Sequence, residues 1–385
     1  MGNGLLFILL SVISYFSLTL ILWVYRRFKT EKRESLWVLK RVHFAVAIPA
    51  HNEERKIGAT VRSILQAGIP PEDIYILCNG CTDNTVAEVE KCGVKPVISP
   101  VRGKEETLGW ASHAVRMFDA YTHICFFDAD TTIDKGYFDV VRERLVREPT
   151  IEIVCGRPKS EPYNWLTAHR AVQYWSFHRL HKSAQSRINA ILVVPGCAGT
   201  YSKRALYAIE WSADTRIGDM DATIQASKKG MRIVFEPDAV VYTQDPATVR
   251  DYTNQLYWRW NRGLWMNMRK HGILWSGPFS MMHWSCRLMF FDQFLPLVYL
   301  TSLYYFGLKY SWMSLGIYIG LVVIETIWCA VEERRLDIVR YVPIYPIMRI
   351  YDLLLFVFSS WNIFVRREKS GVWTSPTRYE AKEVT

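Results

Sequence analysis

"THICFFDAD" (Thr122–Asp130) is the stretch that decides the fold. A run of hydrophobic residues, typical of a buried strand, ends abruptly in two carboxylates one residue apart, Asp128 and Asp130. A carboxylate beside a hydrophobic core is costly unless a cation or hydrogen-bond donors meet it. At the mouth of a strand, an Asp-x-Asp pair can bind a hard divalent cation such as Mg²⁺ or Mn²⁺. The alternative for this pair is a solvated strand end or a helix cap.

Short β-rich runs alternate with helical stretches from Arg41 to about Asp245. The predicted strands are His43–Pro49, Asp73–Cys78, Lys95–Ser99, Thr122–Asp128 and Ile151–Gly156. The predicted helices lie near Glu54–Gln66, Asn84–Lys91, Lys104–Ala120 and Lys135–Arg147. This alternation predicts an α/β domain with a mostly parallel sheet covered by helices.

Polar residues follow the ends of three predicted strands: residues His51–Glu53, Asn79–Asp83 and Asp128–Asp130. In sheets of this kind, ligands bind outside the carboxyl ends of the strands. We therefore expect one ligand site at that edge of the sheet.

Composition and charge narrow the classes of function. Half of the 385 residues are hydrophobic, and 15 Trp and 21 Tyr make the chain richer in aromatics than an ordinary soluble domain. The net charge is +10, with Lys and Arg concentrated beside apolar runs, which favours a membrane surface over nucleic acid. No nucleic-acid-binding signature is present in the sequence. Cys78 and Cys81 form a C-x-x-C that no second pair completes into a zinc site. Reduced cysteines are expected in a domain that faces the cytosol.

Both ends of the chain contain candidate membrane segments. Leu5–Val24 is an uninterrupted apolar run followed by a basic cluster, which predicts an anchor that leaves the next domain in the cytosol. Asn254–Trp275 is dense in Trp, Arg and Lys and predicts an amphipathic helix in the membrane interface. The alternative is a buried aromatic helix. Further apolar spans are expected at about Leu288–Leu308 and Trp312–Val331.

A third apolar segment, Val342–Val365, is interrupted by two prolines, an arginine and Asp352, and it spans the bilayer, re-enters it or lies in its interface. Asp292 and Glu325 lie inside apparent spans, where charges usually face a bundle interior or an aqueous cavity. The alternative is that both lie near interfaces and pair with neighbours.

The ordered set of motifs from about Phe44 to Gly263 resembles the membrane-integrated family-2 glycosyltransferases. This group contains the hyaluronan, chitin, cellulose and poly-N-acetylglucosamine synthases. The resemblance implies an α/β, GT-A (Rossmann-like) cytosolic glycosyltransferase domain with transmembrane and interfacial helices. It also implies a nucleotide-sugar donor and Mg²⁺ or Mn²⁺ as cofactor.

Two motifs resemble the part of the family site that holds the nucleotide. "IPAHNEE" (Ile48–Glu54) resembles the first-strand signature, which implies that Glu53 helps to hold the base. "CNGCTDNT" (Cys78–Thr85) stands where the family has an Asp-bearing turn that contacts the uridine. Asn79 replaces that aspartate, and its amide carries no charge. Asp83, which is retained, is predicted to cap the next helix.

Three side chains are implied to meet the donor phosphates. "RGKEETL" (Arg102–Leu108) resembles the Gly-Lys segment before a helix, so Lys104 is expected to face the phosphates as a point charge; the alternative is a solvated lysine. Asp128 and Asp130 match the metal and diphosphate site of the family.

The acceptor side is implied by two glycine-containing motifs. "GCAGTYSKRAL" (Gly196–Leu206) resembles a segment where small residues let the backbone approach the sugar, and Gly199 is assigned to that role. "GDMD" (Gly218–Asp221) resembles the Glu-Asp motif, which makes Asp219 the catalytic base. Gly218 stands where the family has an acidic residue, and the second aspartate of the motif is interpreted as structural.

The last motif, "QLYWRWNRG" (Gln255–Gly263), resembles Gln-x-x-Arg-Trp. Arg259 is implied to pair with the diphosphate, and Trp260 to present a flat apolar face to the acceptor sugar. Leu256 occupies the position of the family glutamine.

The resemblance implies inverting transfer from a nucleotide sugar, expected to be a UDP-sugar, to a growing polysaccharide, coupled to its export. One alternative is transfer of a single sugar to a lipid, such as a polyprenyl phosphate or a glycolipid. Others are a non-catalytic membrane binding protein or transporter, and an inactive member of the family. Membrane lipids are expected partners, and nucleic acid is not.

The predicted domains follow from these assignments. They are an N-terminal anchor and basic flank at residues 1–33, the cytosolic glycosyltransferase domain at 41–250, interfacial helices at 251–284, a C-terminal membrane region at 285–369 and a tail at 370–385. The tail carries "GVWTSPTR" (Gly371–Arg378), with Trp373 implied to lie near the donor entrance. The predicted location is integral to the plasma or inner membrane.

Overall fold

The computed structural model describes residues 42–273, 285–286, 316, 319–366 and 379. Contacts divide the chain into two compact units. The sheet unit consists of Glu31–Lys159 and Gln185–Gln244, and the helical unit of Met1–Thr30, Ser160–Ala184 and Asp245–Thr385. The predicted domain boundaries stay predictions.

An eight-stranded sheet forms the sheet unit, with strand order β3-β2-β1-β4-β7-β6-β8-β5. Its strands are β1 Phe44–Ala50, β2 Ile74–Cys78, β3 Pro96–Ile98, β4 His123–Phe126, β5 Thr132–Ile133, β6 Ile151–Ser160, β7 Gly199–Ser202 and β8 Arg232–Thr243.

Helices of both units are numbered together in chain order. They are α1 Ile57–Gln66, α2 Thr85–Lys91, α3 Lys104–Gly109, α4 Tyr137–Arg147, α5 Trp165–Tyr174, α6 Ser183–Arg187, α7 Lys203–Ala208, α8 Gly218–Lys228, α9 Val249–Asn254, α10 Arg262–Lys270, α11 at residues 319–332 and α12 Tyr345–Phe364. Three π-helical segments extend α3, α5 and α9, namely Trp110–Ala114, Trp175–Lys182 and Gln255–Asn261.

Half of the sheet agrees with the sequence-based prediction. The first four strands match their predicted bounds to within two residues, and β1 pairs in parallel with β2 and β4, as β2 does with β3. The expectation of a mostly parallel sheet is wrong for the other half, where β7 runs antiparallel to β4 and β6, and β5 runs antiparallel to β8. Antiparallel neighbours need no helical crossover, so the alternation of strands and helices does not reveal them.

The hydrophobic run of β1 explains its central place in the sheet. Alternate side chains of a strand point to opposite faces. Phe44, Val46 and Ile48 accordingly join one buried cluster, and Ala45 and Ala47 join another. A strand covered on both faces needs apolar residues at every position, as this sequence provides.

Apolar helix α12 carries charged residues that find partners inside the helical unit. Asp352 accepts hydrogen bonds of 2.7 Å from the Tyr252 hydroxyl and of 2.7 Å from Gln173 Nε2. Glu325, which is 7% exposed, lies 3.4 Å from Arg349 Nη2. Glu325 is thus buried and paired, which fits either expectation for it, and Asp292 lies outside the described residues.

The predicted interruptions of this segment do not break it. Leu336–Ile344 forms a 3₁₀ helix that contains Pro343, and Pro346 lies in the first turn of α12, where its missing N–H has no helical partner to lose. Among the described residues, Leu336–Phe364 is the single helical stretch that is long and apolar enough to cross a membrane, by length and composition. The predicted spans Leu5–Val24 and Leu288–Leu308 lie outside the described residues.

The aromatic-rich segment predicted at Asn254–Trp275 is helical as far as Lys270. Helix α9, the segment Gln255–Asn261 and α10 follow one another without a break, and Tyr257, Leu264 and Met268 are buried along them. Its place in a membrane interface stays a prediction.

Replacing Asp352 tests whether its hydrogen bonds hold α12 in the helical unit. In Asp352→Leu, two donors lose their acceptor, so we expect the free energy of unfolding to fall by about 2–4 kcal/mol. The melting temperature of the detergent-solubilised protein measures this loss. Leu354→Ala on the same helix is the control, since Leu354 is 59% exposed. An unchanged melting temperature for Asp352→Leu would contradict the assignment.

Candidate functional site

The sheet brings several polar segments to one edge. Strands β1, β2 and β4 are parallel, so the residues that follow them lie at the same edge. Because β7 is antiparallel, its first residue Gly199 pairs with Phe126, the last residue of β4. The segment that precedes β7, including Gly196, therefore lies beside Asp128.

Charged side chains converge above Gly196. The Lys104 ammonium forms an ion pair with Asp128 Oδ1, and the two side chains are 32% and 36% exposed. A Cβ atom on Gly196 would lie 2.7 Å from Lys104 Nζ and 3.8 Å from Asp219 Oδ2. The absence of a side chain at this position is what allows the lysine to reach the cluster.

Backbone hydrogen bonds fix Asp219 at the start of α8. Its Oδ2 accepts from the Gly196 N–H at 3.1 Å and its Oδ1 from the Met220 N–H at 3.0 Å. Thr223 Oγ1 donates to the Asp219 carbonyl at 2.6 Å and accepts from the Val194 N–H at 2.9 Å. The carboxylate is thus held in one orientation before any ligand arrives.

Asp221, on the same turn, differs from Asp219 in its surroundings. It is 1% exposed, and its Oδ2 accepts a hydrogen bond of 3.1 Å from Gln225 on the next turn of α8. This geometry supports the structural interpretation of the second aspartate in the motif.

A buried thiol lies among the charged groups. Burial raises the pKa of Cys197 well above its ordinary value, and Asp128, Asp130 and Asp219 raise this pKa further while Lys104 opposes them. All four charges therefore act on one thiol, and Asp130 follows Asp128 by two residues. With its pKa raised, Cys197 stays protonated at neutral pH and is a poor nucleophile and metal ligand.

The loops after β1 and β2 are joined at Asn79, which is buried. Its backbone N–H and its side-chain Nδ2 both donate to the Ala50 carbonyl, at 2.9 and 3.1 Å. The ring Nδ1 of His51 lies 2.7 Å from the Asn79 carbonyl oxygen. The predicted contact of Asn79 with a nucleobase would therefore use its side-chain oxygen or the second hydrogen of Nδ2.

Asp83 binds the first turn of α2, as predicted for a capping residue. Its Oδ1 accepts from the N–H and hydroxyl of Thr85 at 3.0 and 2.5 Å, and its Oδ2 from the Glu54 N–H at 3.1 Å. Burial works against the charged form, but these hydrogen bonds lower the pKa of Asp83. Glu53 is anchored nearby through its N–H, which donates to Thr85 Oγ1 at 2.8 Å.

Two charged residues beside the site were missed by sequence reasoning. Gly80 has a φ of 66°, and a Cβ atom on it would lie 3.2 Å from Arg102 Nε, so this arginine covers the loop after β2. A Cβ atom on Gly218 would lie 2.7 and 2.8 Å from Cγ and Cδ of Glu105. The one sequence signal for Glu105 was its place directly after Lys104.

The remaining predicted site residues are Gly199, Arg259 and Trp260, together with Trp373 of the tail. Gly199 is buried in the sheet, and a Cβ atom on it would lie 2.7 Å from Cε2 of Tyr201, so this glycine makes room for an aromatic ring. Its acceptor role stays a prediction. Arg259 and Trp260 belong to the helical unit, within Gln255–Asn261. Trp373 lies outside the described residues.

Asp128 and Asp130 fit a divalent cation that arrives with its ligand. Among the residues that the structure describes, no group of three or more His, Cys, Asp or Glu side chains could hold a metal. Mg²⁺ is usually bound by one or two carboxylates and completed by phosphate oxygens and water. Two partly exposed carboxylates at a strand end meet that requirement once a diphosphate is present.

Comparisons with known proteins agree on one family. The model described as "Glycosyltransferase like family 2" matches residues 41–263. The poly-beta-1,6-N-acetyl-D-glucosamine synthase of Staphylococcus aureus (strain COL) is 22% identical over 290 residues, which cover 72% of this chain and 68% of that protein. An N-acetylglucosaminyltransferase of Rhizobium meliloti (strain 1021) is 30% identical over 148 residues, or 35% of this chain and 34% of that protein.

A solved structure confirms the predicted GT-A fold. The mannosyltransferase of Pyrobaculum calidifontis, in complex with GDP-mannose and Mn²⁺, superposes with a TM-score of 0.60 at 15% identity. The match covers 90% of this chain and 98% of that one.

A methyl group at position 196 tests whether sugar transfer depends on the positions of Lys104, Asp128 and Asp219. In Gly196→Ala it would lie 2.7 Å from Lys104 Nζ and push the lysine away from Asp128. We expect kcat for sugar transfer to fall about ten- to hundredfold, because small displacements of reacting groups cost that much. Release of the nucleoside diphosphate from the donor measures the rate. Gly136→Ala is the control, since its methyl would meet Asp134 Oδ1 at an ordinary 3.4 Å. Equal rates for both variants would contradict the assignment.

Proposed function

The chain belongs to glycosyltransferase family 2, and from that membership we propose inverting transfer of a sugar from a UDP-sugar to a growing polysaccharide. The observation that carries the proposal is the convergence of Lys104, Asp128 and Asp219 at Gly196, on the carboxyl edge of the sheet.

The donor side consists of one cation and two carboxylates. A divalent ion held by Asp130, with Asp128 nearby, would neutralise the charge that develops on the leaving diphosphate. Lys104 lies beside Asp128 and can exchange that carboxylate for a phosphate oxygen, because an ammonium group pairs with either anion as a point charge. Glu53 and Asn79 follow the neighbouring strands and are assigned to the nucleoside.

Asp219 is assigned to the acceptor side as the general base. Its carboxylate takes the proton of the acceptor hydroxyl while that oxygen bonds to the anomeric carbon. The bond from the anomeric carbon to the diphosphate breaks on the opposite face, and its electron pair leaves with the phosphate oxygen. An α-linked donor therefore gives a β-linked product. The two backbone hydrogen bonds to Asp219 support this role because they orient the carboxylate in advance.

The acceptor is assigned as a polysaccharide on two grounds. The Staphylococcus aureus relative, which matches 72% of this chain, is named for a polymer of N-acetylglucosamine. Arg259 and Trp260 match residues that the motif resemblance assigns to the diphosphate and the acceptor sugar. Leu256, in place of the motif glutamine, favours the second candidate, transfer of a single sugar to a lipid.

Attachment to a membrane is part of the proposal. Helix α12 turns Asp352 inward and exposes apolar side chains along its other face, among them Ile347 at 66%, Leu354 at 59% and Trp361 at 56%. Such a face suits lipid better than water. We assign the chain to the plasma or inner membrane, with its sheet unit in the cytosol.

Replacing Asp219 tests its assignment as the general base. Asp219→Asn keeps the shape of the side chain but takes up a proton poorly, so we expect transfer to fall about a thousandfold or more with donor binding retained. Turnover and donor affinity are measured on the same preparation. Asp221→Asn, on the same turn, is the matched control and should keep its turnover. Near-normal turnover of Asp219→Asn would remove this residue from the base role.

Product analysis tests the donor, the acceptor and the metal. Detergent-solubilised protein is incubated with a panel of UDP-sugars that begins with UDP-N-acetylglucosamine, and with Mn²⁺ or Mg²⁺. We expect a high-molecular-weight product that chelation with EDTA abolishes and added metal restores, because the diphosphate leaves poorly without a counter-ion.

Other products would revise the assignment. A single-sugar lipid adduct without polymer would support the second candidate. Absence of turnover with every UDP-sugar would overturn the choice of uridine as the nucleobase of the donor. That choice concerns the position where Asn79 replaces an aspartate.

A further inference from the structure

Consecutive side chains of the first turn of α3 lie against two glycines of the site. A Cβ atom on Gly196 would lie 2.7 Å from Lys104 Nζ, and one on Gly218 would lie 2.7 and 2.8 Å from Cγ and Cδ of Glu105. Real Cβ atoms do not approach side-chain carbons so closely, so Glu105 occupies the room that a side chain at position 218 would need. The first turn of α3 thus packs against both Gly196 and Gly218.

A carboxylate beside Gly218 would lie at the N-terminus of α8, where it is expected to be favourable. The residue before the helix is Ile217, and its side chain makes no capping hydrogen bond. The first N–H groups of a helix need acceptors, and a negative charge near them is favourable. Glu105 brings such a charge to Gly218, the first residue of α8, from a different helix.

We propose that Glu105 is a positioning residue for sugar transfer, and that its carboxylate, seated against Gly218, fixes the first turn of α8 so that Asp219 faces Lys104. This inference rests on the proposed role of Asp219 as the base. Glu105 supplies from α3 the acidic group that the "GDMD" motif lacks at its first position.

The arrangement joins the two halves of the site. Lys104 is assigned to the donor phosphates and Asp219 to the acceptor hydroxyl, and the residue next to Lys104 in sequence contacts the residue next to Asp219. A shift between α3 and α8 would therefore change the distance between the leaving group and the base. Loss of Glu105 is expected to lower kcat more than it raises the KM for the donor, because the donor contacts stay in place.

Exchanging the two residues tests the proposal. We expect Glu105→Ala to lower kcat about ten- to hundredfold while the donor KM changes less than about threefold. The double variant Glu105→Ala/Gly218→Glu moves the carboxylate onto α8 itself. We expect its kcat to be at least about tenfold higher than that of Glu105→Ala, because the effects of substituting two residues in contact are not additive. Gly218→Glu alone should be impaired, because two side chains then compete for one space.

Three further measurements separate the contact from its alternatives. Glu105→Gln keeps the volume of the side chain and removes its charge, so we expect a kcat between those of the wild type and Glu105→Ala. Glu90→Ala makes the same change of net charge at an exposed position of α2 and should keep the wild-type kcat. Melting temperatures exclude unfolding as the cause of a lower rate.

The outcomes distinguish this inference from the proposed function. A wild-type kcat for Glu105→Ala would overturn the positioning role while an inactive Asp219→Asn leaves the base in place. A double variant no more active than Glu105→Ala would also overturn it. An active Asp219→Asn would instead refute the assignment of Asp219 as the general base, and it would refute the positioning role of Glu105 as well.

Discussion

The site depends on placing two carboxylates at the end of a hydrophobic strand. Asp128 and Asp130 follow β4 at the edge of a buried sheet, where unpaired negative charge is costly. The ammonium group of Lys104 meets Asp128 there, and it reaches that point only because residue 196 carries no side chain. The same ion pair keeps a cation beside the carboxylates. Under the proposed function, a donor phosphate would replace Asp128 as the partner of this cation, and one contact would serve both the strand end and the affinity for an anionic donor.

The change of strand direction in the middle of the sheet makes this contact possible. Parallel strands alone would place the segments after β1, β2 and β4 at this edge. Because β7 is antiparallel to β4, the segment that precedes it returns to the same edge with Gly196 and Cys197. The N–H of Gly196 then orients Asp219. Lys104, Asp128 and Asp219 thus approach one another from segments that lie far apart in the sequence.

The sequence allowed the parallel half of the fold to be predicted because each strand there is a continuous apolar run bounded by turn residues. It did not allow β7 and β8 to be predicted. β7 is four residues long and begins with glycine, and β8 contains Pro237, which is unusual inside a sheet. The segment Val342–Val365 was expected to be interrupted, yet its prolines lie where a helix tolerates them. In both cases the local signal was present, but its meaning depended on position within the element.

The candidate site shows the same limit. Family resemblance pointed to Lys104, Asp128 and Asp219, and the structure brings them together. Glu105, Arg102 and Cys197 could not be found this way, because their importance depends on space left by glycines and on charges contributed by other segments.

Gly218 illustrates why a degenerate motif need not mean an inactive protein. In the sequence, a glycine replaces the acidic residue that precedes the base, which by itself favours loss of function. In the structure, the carboxylate of Glu105 fills the space beside that glycine. An acidic side chain at position 218 would collide with Glu105, so only one of the two positions can carry the carboxylate. The glycine is then a requirement of the arrangement rather than a sign of decay, and the two positions are expected to change together.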